Sequence, residues 1–218
     1  PWTRAKARTA VESYAAFHAS TLGRSAPRWL SRTQHLHFAV FWRRIARDEA
    51  GMHRLAALAG PRQGEAMDWL RIAVPGLARG ERHLRWVQEP YGLLHFDTRS
   101  DNLVLDGNLL RIFDWPFACV GPVEFDVAAF AQSIAAEGGP DCDAVTGWYD
   151  AVLRLRRDSL VPSVVGIAGY FADRAPRPAI AGLPRLRSIQ RRQLKASLGW
   201  AAGLLDLPAP DWLDTVPD

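Results

Sequence analysis

Two short apolar runs with Asp-Gly between them, residues 103–105 and 109–113, are the feature that most constrains the fold of this chain. Asp106-Gly107-Asn108 joins the runs, and an Asp-Gly pair in this setting is a strong signal for a β-hairpin. An isolated two-stranded hairpin is only marginally stable in water. We therefore expect this hairpin to pack on a larger body, with any chemistry concentrated in the polar residues of its loops.

Helical periodicity dominates the first ninety residues. Residues 6–22 place apolar side chains at three-and-four spacing along one stripe, which predicts a helix. Residues 33–58 predict two helices broken near Gly51, and residues 62–87 predict a helical region that Pro75-Gly76 splits.

Helical patterns return after the hairpin. Pro122 suits the first turn of a helix, and the apolar stripe of that helix continues to Ile134. Further helices are predicted over residues 144–157, 161–172 and 186–205. The fold class predicted from these patterns is mainly α (α+β), a helical body with one small β-hairpin.

Composition narrows the class of protein. The chain has 218 residues, of which 48% are hydrophobic, and this is enough for a sizeable buried core. Its formal net charge is +4, but the basic residues do not interleave with aromatic residues as in a dedicated nucleic-acid binder. Cys119 and Cys142 alone cannot form a disulfide framework. We predict a cytoplasmic protein with reduced thiols and neither a nucleic acid nor a membrane as partner.

Four polar residues surround the hairpin: His95, Asp97, Asn102 and Asp114. His-x-Asp-x-x-x-x-Asn, followed after a hairpin by apolar-apolar-Asp, is the pair of catalytic loop and metal loop of kinase-type phosphotransferases. In a chain of this composition the first pattern alone would arise by chance roughly 0.004 times. The hairpin returns the chain, so that Asp114 emerges beside Asn102.

The chemistry of these residue types predicts their roles. An amide oxygen and a carboxylate are hard ligands that suit a Mg²⁺ ion carrying nucleotide phosphates, so Asn102 and Asp114 are candidate metal ligands. Asp97, free of the metal, can accept the proton of a substrate hydroxyl and aim its oxygen at the γ-phosphate. We therefore predict Asp97 as the catalytic base.

Residues 93–134 resemble the aminoglycoside phosphotransferase family, a branch of the protein-kinase-like superfamily that includes choline kinases and related small-molecule kinases. Trp115 stands where a protein kinase has glycine after its metal-binding Asp-Phe, and Arg99-Ser100-Asp101 departs from the commoner His-Pro-Gly of the family. The resemblance implies that Asp126 is buried and ties down the backbone of the catalytic loop. It also implies that His95 orients the loop and is not a base.

The resemblance further implies a second lobe. Kinases of this type carry a phosphate-covering loop and a nucleotide-binding lysine on an N-terminal lobe. Here no Gly-rich loop follows a predicted strand, and neither Lys6 nor Lys195 lies on one. Since the chain begins with Pro1, we expect residues 1–218 to be a kinase-like C-terminal lobe that is inactive alone, with residues 93–114 as its catalytic loop and metal-binding hairpin. Nucleotide-binding residues are expected mainly in the N-terminal lobe.

The implied activity is transfer of the γ-phosphate of ATP or GTP to a hydroxyl of a small molecule, with Mg²⁺ as cofactor. The acceptor and its binding residues stay unassigned. A polycationic acceptor would need acidic walls, and a solvated loop and a frayed tail explain the available acids equally well. The candidate acids are Glu137, Asp141, Asp143, Asp150, Asp206, Asp211, Asp214 and Asp218.

Two alternatives remain open. The first is a pseudokinase or regulatory binding lobe without catalysis, although the presence of all three of Asp97, Asn102 and Asp114 disfavours it. The second is a metal-dependent hydrolase built on His35, His37 and His53. Its support is weak, because the sequence contains no His-Glu-x-x-His pattern.

Overall fold

The computed structural model of the chain describes residues 2–32, 34–107 and 109–218, apart from the side chains of residues 34 and 35. Thr33 of the predicted second helical region, Asn108 of the predicted turn and the His35 side chain therefore lie outside the described residues. The described chain forms eight α-helices and four short strands. The helices are α1 (Arg4–Thr21), α2 (Phe41–Ile45), α3 (Glu49–Ala56), α4 (Gln63–Arg82), α5 (Val123–Ala136), α6 (Cys142–Asp150), α7 (Arg157–Arg174) and α8 (Leu186–Leu204). The strands are β1 (Gly92–Leu94), β2 (Leu103–Asp106), β3 (Leu109–Ile112) and β4 (Cys119–Gly121).

The chain divides into two compact units. The first unit comprises residues Pro1–His37 and Trp86–Leu160, and the second comprises Phe38–Arg85 and Val161–Asp218. All four strands belong to the first unit. No helix among the described residues is both long enough and apolar enough to cross a membrane.

Three helices form the core of the first unit. The Thr3 side chain caps α1 by accepting a hydrogen bond from the Lys6 amide, which satisfies one free donor of the first turn. Both α1 and α5 pack against α6. The apolar stripe of α5 that the sequence predicts is buried through Ile134, so burial of this stripe holds the helices together.

The strands form two antiparallel pairs. β2 pairs with β3 with Leu103 opposite Ile112 and Asp106 opposite Leu109, as the Asp-Gly signal predicts. β1 pairs with β4, with Leu94 opposite Cys119. The sequence analysis did not predict β4, because a run of three residues before a proline carries too little periodicity to indicate a strand.

The predicted split at Pro75-Gly76 is wrong, because α4 runs unbroken through both residues. A proline inside a helix costs about 3 kcal/mol, since it removes one backbone hydrogen bond and crowds the preceding turn. Leu70, Val74 and Leu77 line one face of α4 and are buried, and α2 and α3 pack on this helix. Burial of each such side chain stabilises by about 1.5–3 kcal/mol, so the three together exceed the cost of the proline.

The predicted break near Gly51 is also wrong. The break between α2 and α3 lies at residues 46–48, and Gly51 is in the first turns of α3. A Cβ at Gly51 would lie 2.9 Å from the Asp48 carboxylate, and Arg54 holds that carboxylate at 2.8 Å. The glycine therefore leaves room for the Asp48 side chain and does not end the helix.

A buried carboxylate and a closely packed glycine hold the second unit together. Glu81 of α4 accepts hydrogen bonds from the amides of Trp42 and Arg43 at the start of α2, at 2.9 and 2.7 Å. Burial raises the pKa of Glu81 to about 7. The Trp42 indole donates to the Val165 carbonyl at 2.9 Å, and it fits there because a Cβ at Gly169 would lie 2.8 Å from its ring.

Candidate active site

Asp126 anchors the loop that follows β1. Its carboxylate is completely buried in the first turn of α5. It accepts hydrogen bonds from the amide of His95 at 2.6 Å and from the amide of Phe96 at 2.9 Å. Phe96 has a φ of +69°, a left-handed conformation that is rare for a bulky residue. The two amide contacts hold the loop in this strained geometry, as occurs at functional sites.

Tyr14 of α1 hydrogen-bonds to the same carboxylate, and His18 lies next to it. The Tyr14 hydroxyl donates to Asp126 Oδ2 and lies 3.0 Å from Thr98 Oγ1. Burial and the nearby Asp126 charge raise the pKa of Tyr14 well above its usual value, so the phenol keeps its proton and donates. His18 Nε2 lies 3.6 Å from Asp126 Oδ2, while its Nδ1 lies 2.7 Å from the Tyr149 hydroxyl of α6.

Tyr14 and His18 are members of the site that the sequence does not reveal. Both residues lie on the buried stripe of α1, where an aromatic side chain ordinarily indicates core. The available signal was their spacing of four residues, which places two polar atoms on one face of a helix otherwise lined with alanine and valine.

His95 links the loop that follows β1 to the residue before Asp114. Its Nδ1 accepts from the Asp97 amide at 3.3 Å, which leaves the proton on Nε2 to be donated to the Phe113 carbonyl at 2.6 Å. The Trp115 ring packs edge-on against the imidazole, with 4.7 Å between centroids. Both ring nitrogens are therefore engaged in holding the two loops together.

Asn102 holds the Asp97 side of the loop. Its Nδ2 donates to the Asp97 carbonyl at 2.8 Å and to Asp97 Oδ2 at 3.3 Å. The Phe113 amide donates to the Asn102 carbonyl at 2.9 Å, which continues the ladder of the hairpin toward Asp114. Asp97 is partly exposed, and its second oxygen, Oδ1, lies 3.1 Å from Arg99 Nε.

Asp114 follows the hairpin with its side chain exposed and with a φ of +60°. Among the described residues no side chain or backbone amide pairs with its carboxylate, and the same holds for the Asn102 amide oxygen. A carboxylate and an amide oxygen without protein partners are a donor set that suits a magnesium ion. The residues present therefore fit the metal that the motif implies.

The candidate acidic residues for a cationic acceptor mostly have structural partners. Asp141 caps α6 through the Ala144 amide, and Asp150 accepts from the Leu155 amide. Asp218 pairs with Lys195 at 2.9 Å. Glu137, at the end of α5, accepts a hydrogen bond from Ser100 of the catalytic loop.

The His35 side chain of the alternative hydrolase site lies outside the described residues, and the rest of the described chain shows no metal cluster. No group of three or more His, Cys, Asp or Glu side chains there could hold an ion. His53 lies 3.8 Å from Glu49, one turn away on its own helix. Burial raises the pKa of both Cys119 and Cys142 to about 12, so these thiols stay protonated.

Comparison with known proteins decides the family. The model of the phosphotransferase enzyme family, APH, matches residues 3–158, which is more than half of the chain and includes the whole catalytic loop and hairpin. The chain belongs to the phosphotransferase enzyme family. The resemblance stated from residues 93–134 is thereby confirmed.

Two crystal structures share the fold of this chain. One is a choline/ethanolamine kinase family protein from Mesorhizobium loti, with a TM-score of 0.52 and 16% identity over 97% of this chain. The other is the spectinomycin phosphotransferase APH(9)-Ia in complex with ADP and spectinomycin, with a TM-score of 0.52 and 13% identity over 95% of this chain. The predicted mainly helical, kinase-like fold class is confirmed.

The chain spans 65% of the length of each of these two structures. Among curated proteins, none matches it significantly in sequence.

Proposed function

We propose that this chain carries the phosphotransfer residues of a small-molecule kinase that moves the γ-phosphate of ATP or GTP to an acceptor hydroxyl. The observation that carries the proposal is the state of Asn102. Its amide nitrogen donates hydrogen bonds to Asp97. Its amide oxygen and the exposed Asp114 carboxylate have no partner among the described residues. The Asp97 side of the loop is thus fixed by hydrogen bonds, and the Asp114 side offers oxygen ligands for a metal ion.

Asp97 acts as the base in this proposal. The acceptor hydroxyl oxygen forms a bond to the γ-phosphorus, the bond from that phosphorus to the β,γ-bridging oxygen breaks, and the hydroxyl proton passes to the Asp97 carboxylate. The nucleoside diphosphate leaves with the electron pair of the broken bond. Asn102 and Asp114 would hold Mg²⁺, which supplies neutralisation of the phosphate charge.

Asp126, Tyr14 and His95 position this machinery without touching the reactants. Their hydrogen bonds fix the backbone amides of His95, Phe96 and Asp97. Such prior positioning lowers the barrier of a reaction that depends mainly on geometry and charge.

Nucleotide binding needs more than these residues in our proposal. Lys6 lies in the first turn of α1, and Lys195 lies on α8 beside Asp218. Neither lysine is on a strand that could bring it to the α- and β-phosphates. We propose that residues 1–218 act as the C-terminal lobe, with residues 93–114 as the catalytic loop and metal hairpin. A lysine-bearing lobe from outside this sequence would complete the nucleotide site, and the 218 residues alone would be inactive.

The acceptor is a hydroxylated small molecule in this proposal, without nucleic acid or membrane as partner, and the reaction takes place in the cytoplasm. The solved spectinomycin phosphotransferase was crystallised with ADP and with spectinomycin, which supports a nucleotide and a small hydroxylated acceptor for this chain.

The test is transfer of labelled phosphate from ATP or GTP to a panel of hydroxylated small molecules by the full-length protein. Asp97→Asn should lower transfer by about 10²–10⁴-fold, since it removes the base, while the nucleotide still binds. Asp106→Asn, which changes an exposed carboxylate on the same hairpin, is the matched control and should transfer normally.

Three results would contradict parts of the proposal. Unaltered turnover in Asp97→Asn would remove Asp97 from its role. Nucleotide binding by the full-length protein without transfer to any acceptor would favour the regulatory binding lobe. ATP hydrolysis by the 218-residue chain, abolished by Asp114→Ala, would overturn the inactivity of the isolated chain.

A further inference from the structure

Arg99 forms the ion pair with the Asp97 carboxylate among the residues that the structure describes. Its Nε lies 3.1 Å from Asp97 Oδ1 and 3.4 Å from Asp101 Oδ1. The pair is part-exposed, with 39% of the Arg99 side chain and 29% of the Asp97 side chain accessible.

The contact is an ion pair without a hydrogen bond. Arg99 Nε is shielded from solvent, and it has no hydrogen-bonded acceptor among the residues that the structure describes. A guanidinium can donate five hydrogen bonds in a planar fork that matches phosphate oxygens. A shielded donor without an acceptor costs free energy, and an arriving phosphate oxygen would relieve that cost.

The charge balance of the loop favours an anion only at Arg99. Asp97, Asp101 and Asp114 are all carboxylates, and the described lysines lie on α1 and α8. Binding of a terminal phosphate on the Asp97 side of the loop is therefore favoured by a cation on the loop itself, in addition to the Mg²⁺ that Asn102 and Asp114 would hold. Arg99 is the group of the catalytic loop that supplies one.

We propose that Arg99 binds the terminal phosphate of the donor nucleotide, and that in the absence of nucleotide it pairs with Asp97. Binding of the donor then draws the guanidinium from Asp97 Oδ1 to the phosphate, and the freed oxygen accepts the acceptor hydroxyl. Arg99 thereby couples donor binding to release of the base. This inference rests on the proposed function.

The experiment measures binding of Mg²⁺ with ADP and with the β,γ-imido analogue of ATP to the full-length protein by calorimetry. Arg99→Ala should weaken the ATP analogue by between about 10-fold and 100-fold, since a charge-assisted hydrogen bond is lost. ADP affinity should change less than about twofold, because ADP lacks the terminal phosphate that Arg99 binds. Arg99→Lys keeps the charge but not the planar fork of donors. Its affinity for the ATP analogue should therefore lie between that of the wild type and that of Arg99→Ala.

Arg111→Ala is the matched control. Arg111 is an arginine on the same hairpin that pairs with Asp106 at 3.7 Å, and its removal should change neither affinity. A purely structural role for Arg99 would weaken both nucleotides equally. Equal weakening, or no weakening, would overturn the inference.

A double-mutant cycle tests the exchange. In the presence of Arg99, Asp97→Asn should raise the affinity for the ATP analogue by up to about 5-fold, because it frees the guanidinium from a part-exposed ion pair. In the Arg99→Ala background the tightening should be smaller. Equal tightening in both backgrounds would overturn the exchange. A wild-type protein that binds neither nucleotide would overturn the proposed function itself, which separates the two failures.

Discussion

Replacement of Asp126 by asparagine should loosen the catalytic loop without changing a residue that faces a ligand. The two oxygens of Asp126 accept three hydrogen bonds, from the amides of His95 and Phe96 and from the Tyr14 hydroxyl. Asparagine keeps the shape, but its amide nitrogen is a donor, so at least one of the three donors loses its acceptor. A buried donor left without an acceptor costs about 1–3 kcal/mol. This is a sizeable share of the ~5–15 kcal/mol that ordinarily stabilises a domain.

The assay is hydrogen exchange of the backbone amides of His95 and Phe96. If 1–3 kcal/mol of local stability is lost, their exchange should accelerate by between about 5-fold and 150-fold. Tyr14→Phe is the control, because it removes only the hydroxyl and leaves both amide bonds to Asp126, so acceleration should be much smaller. Unchanged exchange in Asp126→Asn, or equal acceleration in Tyr14→Phe, would refute the anchoring role of the carboxylate.

Three further predictions concern stability and thiol chemistry. Because burial raises the pKa of Glu81 to about 7, the folded state binds this proton more tightly than the unfolded state. The free energy of unfolding should therefore fall from about pH 5 to pH 8, by up to about 3 kcal/mol, and Glu81→Gln should flatten that slope in urea titrations. Gly169→Ala forces a Cβ to within 2.8 Å of the Trp42 ring and should destabilise by about 1–3 kcal/mol. Gly203→Ala, where a Cβ meets open space on α8, should stabilise by about 0.5–1 kcal/mol, and equal melting temperatures for the two variants would contradict the packing. Cys119 and Cys142 should react with a thiol reagent only on unfolding, and rapid labelling of the native protein would show otherwise.

The front of the candidate site could be predicted from the sequence because its residues are close in the chain. Asp97, Asn102 and Asp114 lie within eighteen positions, and a hairpin with a strong turn signal fixes their relative order. Local sequence therefore carries most of the geometry that brings these side chains to one loop cluster.

The back of the site could not be predicted in the same way. Tyr14 reaches Asp126 across 112 positions, and His18 reaches Tyr149 across 131. Periodicity shows which face of a helix is buried, but it does not show which polar atoms on two buried faces will meet. The same limit hid β4, which needs β1 as its partner to be a strand at all.

The two errors in helix boundaries have a common physical origin. Pro75 and Gly51 disfavour helix in isolation, but both lie in helices of the second unit that pack on α4 or are part of it. Tertiary burial exceeded the local preference in both cases. Pattern reasoning from single residues fails where a helix has one strongly buried face, as α4 has.

The hydrogen-bonding of the site's polar groups distinguishes the residues that hold the loop from the residues that could bind a ligand. On the side of Asp126 the carboxylate, the backbone amides and the Tyr14 hydroxyl are paired with one another. On the side of Asp114 the exposed carboxylate and the Asn102 amide oxygen have no partner within the described residues, and Arg99 has a charge partner but no hydrogen bond. Rigid groups behind and free ligands in front are what catalysis by positioning requires, because the free groups can then bind phosphate and metal without rearranging the loop that holds them. A site that only stabilised the fold would have no reason to leave its most polar groups on one side without partners.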